Sequence, residues 1–431
     1  MSFIEDDAKY VWHPFTQIQT EPSPLLISSA KNATLFTADG KSYLDCNSSW
    51  WVNVHGHGNE HIAQAIQTQF AAIDHVIFAG ATHEKAIELS KRIVEKLNCD
   101  LQKVFFSDNG STAVEVAIKM CMQFWHNQGI KKSGVLALEG AYHGDTFGAM
   151  SVGERDYFNA PFEPFFFNVD FLEFPTETNE KQLLAKAKTL FESGEFISLI
   201  VEPLIQGSAG MRFYSVSFLE ELVILAKANN VLVIFDEIMT AFGRTGTLFA
   251  FEHTTVRPDI ICLSKGLTGG VLPLGLTVAT NAIFDAFLSD ERAKAFLHGH
   301  SFTGNPLACA AACASLDLFE QAATWENIKA IETRNLNFLQ KLEKHPVIDN
   351  ARVYGTILAL DLKTDGPTGY FSKIRDKAYT FFLENGLLLR PLGNVLFINP
   401  PYCLTEREQL TIFEVIEKFL VQNGFEDLKI R

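Results

Sequence analysis

The chain is poor in cysteine and shows no spacing that pairs its cysteines. Cys46, Cys99, Cys121, Cys262, Cys309, Cys313 and Cys403 are scattered, odd in number, and form no C-x-x-C. That excludes a disulfide scaffold and suits free thiols in a reducing compartment. No apolar run reaches the roughly 18–20 residues needed to cross a bilayer, so no membrane span is expected. There is no basic block either. Lys and Arg number 36 against 51 Asp and Glu, giving a net charge of −15. Nucleic-acid binding through a positive footprint is therefore not expected. Residues 1–9 carry three acids and no apolar core, unlike a secretory signal. These absences predict a cytoplasmic soluble protein and leave a small, partly anionic ligand open.

What is present is apolar. Hydrophobic residues make up 47% of the chain and charged residues 20%, the balance of an ordered globular protein. At 431 residues it exceeds one small core, and two domains are expected. The runs "VFFS" (104–107), "ISLIVEP" (197–203), "VLVIFDE" (231–237) and "DIICLSK" (259–265) read as buried strands. Helical stripes lie between them, one from Thr112 and one over 217–228. This alternation predicts an α/β fold with a mostly parallel central sheet. Short strands over 33–54 and mixed elements over 325–431 predict a smaller α+β domain made from both ends. The boundaries are placed at 56–325 for the large domain, with 1–55 and 326–431 for the small one. The stretch 160–175, rich in Phe and Pro, reads as a long packed loop.

Three anchors carry chemistry. Asp236 and Glu237 end an apolar strand, where ligands bind in open α/β sheets, although a strand-end acid alone often only caps a turn. Lys265 ends another strand 29 residues later and is followed by Gly266, Gly269 and Gly270. A lysine there is costly to bury without a role, although an isolated one more often snorkels to the surface. Gly110 and Ser111 precede a helix whose Thr112 and Glu115 spell a capping box, and such a helix start is a ready phosphate site. An amine, an acid and a phosphate cup together are what pyridoxal phosphate requires.

The segments "DEIMTAFGRTG", "LSKGLTGG" and "GHSFTGNPLACAAA" resemble the class III pyridoxal-phosphate-dependent aminotransferases of fold type I. Nearly the whole chain takes part. "WHPFTQ", "NSSWWVNVHGH", "AYHGDTFGAMSVG", "VEPLIQGSAGM", "HGHSFTGNPLAC" and "RPLGN" resemble the branch of biotin biosynthesis that aminates 8-amino-7-oxononanoate to 7,8-diaminononanoate. The resemblance implies ping-pong transamination with S-adenosylmethionine as amino donor. It implies that Lys265 carries pyridoxal 5'-phosphate as a Schiff base and that Asp236 holds the ring-nitrogen proton. Tyr142 and Ile238 would flank the ring, with Gly110 and Ser111 at the phosphate. Ser301 would reach the phosphate of a neighbouring subunit, which implies a homodimer with active sites at the interface. For substrate, Arg390 would take the carboxylate of the keto acid and Trp50 and Trp51 would line its apolar slot. Gly299, Asp145 and Arg244 complete the implied substrate contacts, the last two toward the donor.

Phe15 stands where family members often have Tyr, and Ser301 where Thr is common. Phe15, "VNVHGHG" and "GHSFTGN" also resemble a subgroup that uses lysine as donor, whereas Trp50–Trp51 resembles the S-adenosylmethionine users. Lysine as donor, or another ω-amine substrate altogether, are the alternatives. His55, His57, His61, His298 and His300 have loose metal-like spacing. No cysteine or carboxylate cluster completes a set, so no metal is expected.

Overall fold

The computed structural model describes residues 2–342, 345–364 and 372–422. Residues 343–344, 365–371 and 423–431 of the expected small domain, and Met1, lie outside the described residues.

The apolar runs build a seven-stranded sheet. In spatial order its strands are Leu101–Ser107, Gly275–Thr280, Ile260–Leu263, Leu232–Asp236, Phe196–Val201, Gly134–Leu138 and Asp170–Leu172. All neighbouring pairs are parallel except those made by Gly275–Thr280, which is antiparallel to both its neighbours. Every residue of Phe196–Val201 and of Ile260–Leu263 is buried. A strand covered on both faces reads as a near-continuous apolar run, and these do, with Ser198 the polar residue among them.

Register explains why Asp236 and Lys265 meet. Asp236 pairs with Cys262 across parallel strands. The chain then turns at Ser264, so both side chains emerge at one carboxyl edge of the sheet.

The helix expected from Thr112 runs over Gly110–Asn127, and its cap is a correction. Asn109, not Thr112, is the N-cap. Its side chain accepts from the Thr112 N–H at 3.0 Å, while the Thr112 hydroxyl accepts from the Asn109 N–H at 3.1 Å. Glu115 is thereby free to accept from the Gly148 and Ala149 N–H groups, at 2.6 and 3.3 Å. The capping-box pattern named the right region but placed the cap three residues too late.

The two ends of the chain pair with each other. Ile27–Lys31, Thr34–Thr37 and Ser42–Asp45 form an antiparallel ladder, and Leu387–Leu388 adds parallel to the last of these. A second sheet joins Ile348–Tyr354, Ile357–Leu362 and Val395–Ile398. Helices Ala322–Leu342 and Glu406–Gln422 pack beside them, with Phe338 and Phe413 stacked at 4.1 Å. The stretch 160–175 is largely irregular, with one 3-10 turn at Glu163–Phe165 and the edge strand Asp170–Leu172. The Arg155 guanidinium lies 4.8 and 5.1 Å from the Phe166 and Phe171 rings. Among the described residues no helix is long and apolar enough to cross a membrane.

Candidate active site

A cleft of about 560 Å³ opens at the carboxyl edge of the sheet. Its walls bring together Gly110, Ser111, Tyr142, Asp145, Asp236, Ile238, Lys265 and Trp51. These residues span more than 200 positions of sequence, and the parallel sheet delivers them to one place.

Lys265 stands at the start of the 3-10 turn Lys265–Thr268 with φ +45°, a left-handed conformation unusual for a side-chain-bearing residue. Gly270 follows, and a Cβ there would lie 2.6–2.7 Å from the backbone of Val52 and Asn53. The glycine thus lets the Trp51–Val52 segment close onto the lysine turn. The Lys265 amine sits 4.8 Å from the Trp51 ring. Desolvation pushes the pKa of this amine down, with Arg244 acting in the same direction and the charges of Asp236 and Glu202 opposing.

Asp236 is buried, with one oxygen accepting from the Ile238 N–H at 3.1 Å. The other lies 2.7 Å from Nδ1 of buried His143. Nε2 of His143 has no partner among the described residues. Tyr142 donates its hydroxyl to Asp145 at 2.9 Å, and burial together with that carboxylate raises its pKa, so it stays protonated. Gly110 and Ser111 form the first turn of an 18-residue helix, where backbone N–H groups lack intrahelical partners and the dipole favours an anion. A Cβ on Gly110 would lie 2.9 Å from Ile238, so only glycine lets the helix start and Ile238 share that wall.

Glu202 and His143 belong to this site but were not singled out in the sequence. Glu202 accepts from the Tyr142 and Gly207 N–H groups, at 3.2 and 3.0 Å. Burial pushes its pKa up to about 7; the Asp236 charge adds to this and His143 opposes it. Its signal was the same as that of Asp236, an acid just past a buried apolar strand.

The remaining expected residues lie outside the cleft wall. Trp50 and Arg390 stand together, with the guanidinium 5.6 Å from the indole. Arg244 is 1% exposed; its Nη1 donates to the carbonyls of Pro400 and Asn399, and its Nε and Nη2 find no acceptor among the described residues. Gly299 and Ser301 are exposed on the loop before helix Pro306–Phe319. His57 is engaged by Asp45 and His61 by Asp317, each at 2.8 Å. Among the described residues, no group of three or more His, Cys, Asp or Glu could hold a metal.

The donor set fits pyridoxal phosphate: an amine of lowered pKa, a buried acid for a ring nitrogen, and a helix start for a phosphate. His143, whose Nε2 has no partner among the described residues, lines the same cleft.

The chain is similar over nearly its whole length to proteins of known name and structure. A curated adenosylmethionine-8-amino-7-oxononanoate aminotransferase from Synechococcus elongatus is 48% identical over 419 residues, covering 95% of this chain and 98% of that one. One of the same name from Helicobacter pylori is 38% identical over 426 residues, covering 95% and 96%. The crystal structure of the enzyme so named from Methanocaldococcus jannaschii superposes with a TM-score of 0.90 at 35% identity, covering 96% of this chain and 98% of that one. An omega transaminase from Pseudomonas jessenii, solved in complex with PMP, gives a TM-score of 0.91 at 25% identity and covers 98% of both chains. The family model for class-III aminotransferases matches residues 16–420, and the chain belongs to that family.

Proposed function

We propose that this enzyme transfers the amino group of S-adenosylmethionine to 8-amino-7-oxononanoate, giving 7,8-diaminononanoate in biotin biosynthesis by a ping-pong mechanism that uses pyridoxal 5'-phosphate. The observation that carries the reading is the convergence of Lys265, Asp236 and the Gly110–Ser111 helix start on one cleft. The names of its relatives supply the substrates.

When bound, the cofactor supplies an electron sink for the charge left by deprotonation of the substrate α-carbon. Lys265 would hold it, and its Nζ would accept and return the proton at the substrate α-carbon. Burial lowers the pKa of this amine, which favours the unprotonated form that a base requires. Asp236 keeps the ring nitrogen protonated, and His143 and the Ile238 N–H fix that carboxylate. The Gly110 and Ser111 backbone amides hold the phosphate. Tyr142 and Ile238 flank the ring, and Asp145 orients the Tyr142 hydroxyl.

Arg390 takes the far carboxylate of the keto acid, since a planar fork matches it. Trp50 and Trp51 line the aliphatic part. Arg244 serves the carboxylate of the donor: a buried guanidinium with two unpartnered nitrogens calls for an anion. Exposed Gly299 and Ser301, flanked by exposed Leu297 and Phe302, support a homodimer in which this loop completes the site of a second copy. The scattered free cysteines support a cytoplasmic location. The pairing of 387–388 with 42–45 supports a small domain of 1–55 and 326–431 beside a large domain of 56–325.

A second reading, with lysine as donor, is favoured by one feature. The Phe15 ring lies 5.5 Å from Trp50 and brings no hydroxyl to that end of the slot.

The test is direct. Purified enzyme given pyridoxal phosphate, S-adenosylmethionine and 8-amino-7-oxononanoate should form 7,8-diaminononanoate by mass spectrometry. No product under those conditions refutes the assignment.

A further inference from the structure

The turn carrying Trp50 and Trp51 is strained. Ser48, Ser49 and Trp51 have φ of +48°, +58° and +64°. None is glycine or asparagine, so this conformation has to be imposed from outside.

The source is a buried polar frame. Asp45 is 0% exposed. Its carboxylate accepts from the Asn47 N–H at 3.2 Å and from the Ser49 N–H at 2.9 and 2.7 Å. It also accepts from the Ser49 hydroxyl at 3.3 Å and pairs with His57 Nε2 at 2.8 Å. Asn47 grips the other side: its side-chain carbonyl accepts from the Arg390 N–H at 2.9 Å and its amide donates to the Phe397 carbonyl at 3.1 Å. The Ser48 hydroxyl donates to the Asn399 carbonyl at 2.8 Å. One frame therefore holds the tryptophan turn and the Arg390 backbone together. The two indoles face opposite ends of the implied slot, Trp51 at 4.8 Å from the Lys265 amine and Trp50 at 5.6 Å from the Arg390 guanidinium.

We propose that Asp45, Asn47 and His57 are positioning residues that fix the distance between the Lys265 amine and the Arg390 fork, and so select a keto substrate by the length of chain between its reacting carbonyl and its terminal carboxylate. None of the three lines the cleft. They act through the turn, and the inference rests on the reading of Arg390 as the carboxylate site. Buried hydrogen bonds to a charge, unlike solvated ones, hold geometry without exchanging with water. A misplacement near 1 Å is enough to lose a large part of a well-aligned interaction.

The test uses the cofactor-loaded enzyme and the variants Asn47→Ala, Asp45→Asn, His57→Ala, His57→Gln and Arg390→Ala. Three quantities are read: the Kd for 8-amino-7-oxononanoate by calorimetry, the rate of the S-adenosylmethionine half-reaction, and the kcat/KM ratio between 8-amino-7-oxononanoate and its homologue one methylene shorter. Asn47→Ala and Asp45→Asn should raise Kd about tenfold, change the donor half-reaction by less than about twofold, and shrink the chain-length preference. His57→Ala should weaken Kd and the chain-length preference as Asn47→Ala does, and His57→Gln, which keeps an N–H donor for Asp45, should restore both. Unchanged Kd and chain-length preference in Asn47→Ala, or equal losses in both half-reactions, would overturn the inference. Asn47→Ala carries the test alone if Asp45→Asn does not fold. A normal Kd in Arg390→Ala would instead overturn the reading of Arg390, and the inference with it. A weakened Arg390→Ala beside an unaffected Asn47→Ala overturns the inference only.

Discussion

Replacing Arg390 by alanine separates the two substrates. Arg390 is partly buried, its guanidinium lies against Trp50, and its backbone is anchored by Asn47. A fork held this way and paired with a carboxylate contributes ~2–3 kcal/mol, the upper part of the range for hydrogen bonds to charged groups. That energy corresponds to roughly 30–150-fold in affinity. The keto acid should therefore lose that factor in kcat/KM in the second half-reaction. On the proposed assignment the donor carboxylate goes to Arg244 instead, so the donor half-reaction should change by less than about threefold. Each half-reaction is followed separately by cofactor absorbance in stopped flow. The thermal midpoint should stay within a few degrees, because Arg390 is only partly buried. An equal loss in both half-reactions would refute the separation of the two sites.

Two further substitutions probe the frame around the cleft. Gly110→Ala puts a methyl 2.9 Å from Ile238, and relieving that overlap should cost ~1–3 kcal/mol, read as faster loss of pyridoxal phosphate on dialysis; unchanged retention would contradict the tight wall. Glu237 is fully buried and its pKa is pushed up to about 8 by desolvation, against hydrogen bonds from the Ala250 and Phe251 N–H groups. The folded state therefore keeps a proton that the unfolded chain releases near its ordinary pKa of 4.5. Stability from this group is complete below that value and is lost as pH rises through about 8, by up to a few kcal/mol. Melting curves of Glu237→Gln should lack this part of the decline between pH 5 and 8, and a wild-type slope in the variant would show that Glu237 does not titrate there.

Much of the site was legible because strand ends announce themselves. Asp236 and Lys265 each close a buried apolar run, and a charged group in that position demands an explanation. Glu202 ends a similar run, but a strand-end acid alone often only caps a turn, and no further local feature marks it. His143 was hidden by its neighbour Tyr142: nothing local shows that a ring in that loop will meet a carboxylate 93 residues away. The antiparallel strand Gly275–Thr280 escaped because periodicity carries no strand direction, and glycine and threonine dilute its pattern. The Ser48–Trp51 turn was least legible. Its left-handed residues are serines and a tryptophan, and the buried polar frame of Asp45, Asn47 and the Ser48 hydroxyl explains them. A conformation imposed by tertiary contacts leaves little trace in local composition.

The central claim is tested most directly by one half-reaction. The yellow, pyridoxal-phosphate-loaded enzyme is mixed with S-adenosylmethionine alone, with lysine alone as the comparison, and the Lys265→Ala variant run beside it. The account predicts that S-adenosylmethionine converts the aldehyde form of the cofactor to the amine form in a single turnover, that lysine does not, and that Lys265→Ala is slower by at least about a thousandfold. Conversion by lysine alone, by neither donor, or at a near-normal rate in Lys265→Ala would contradict it.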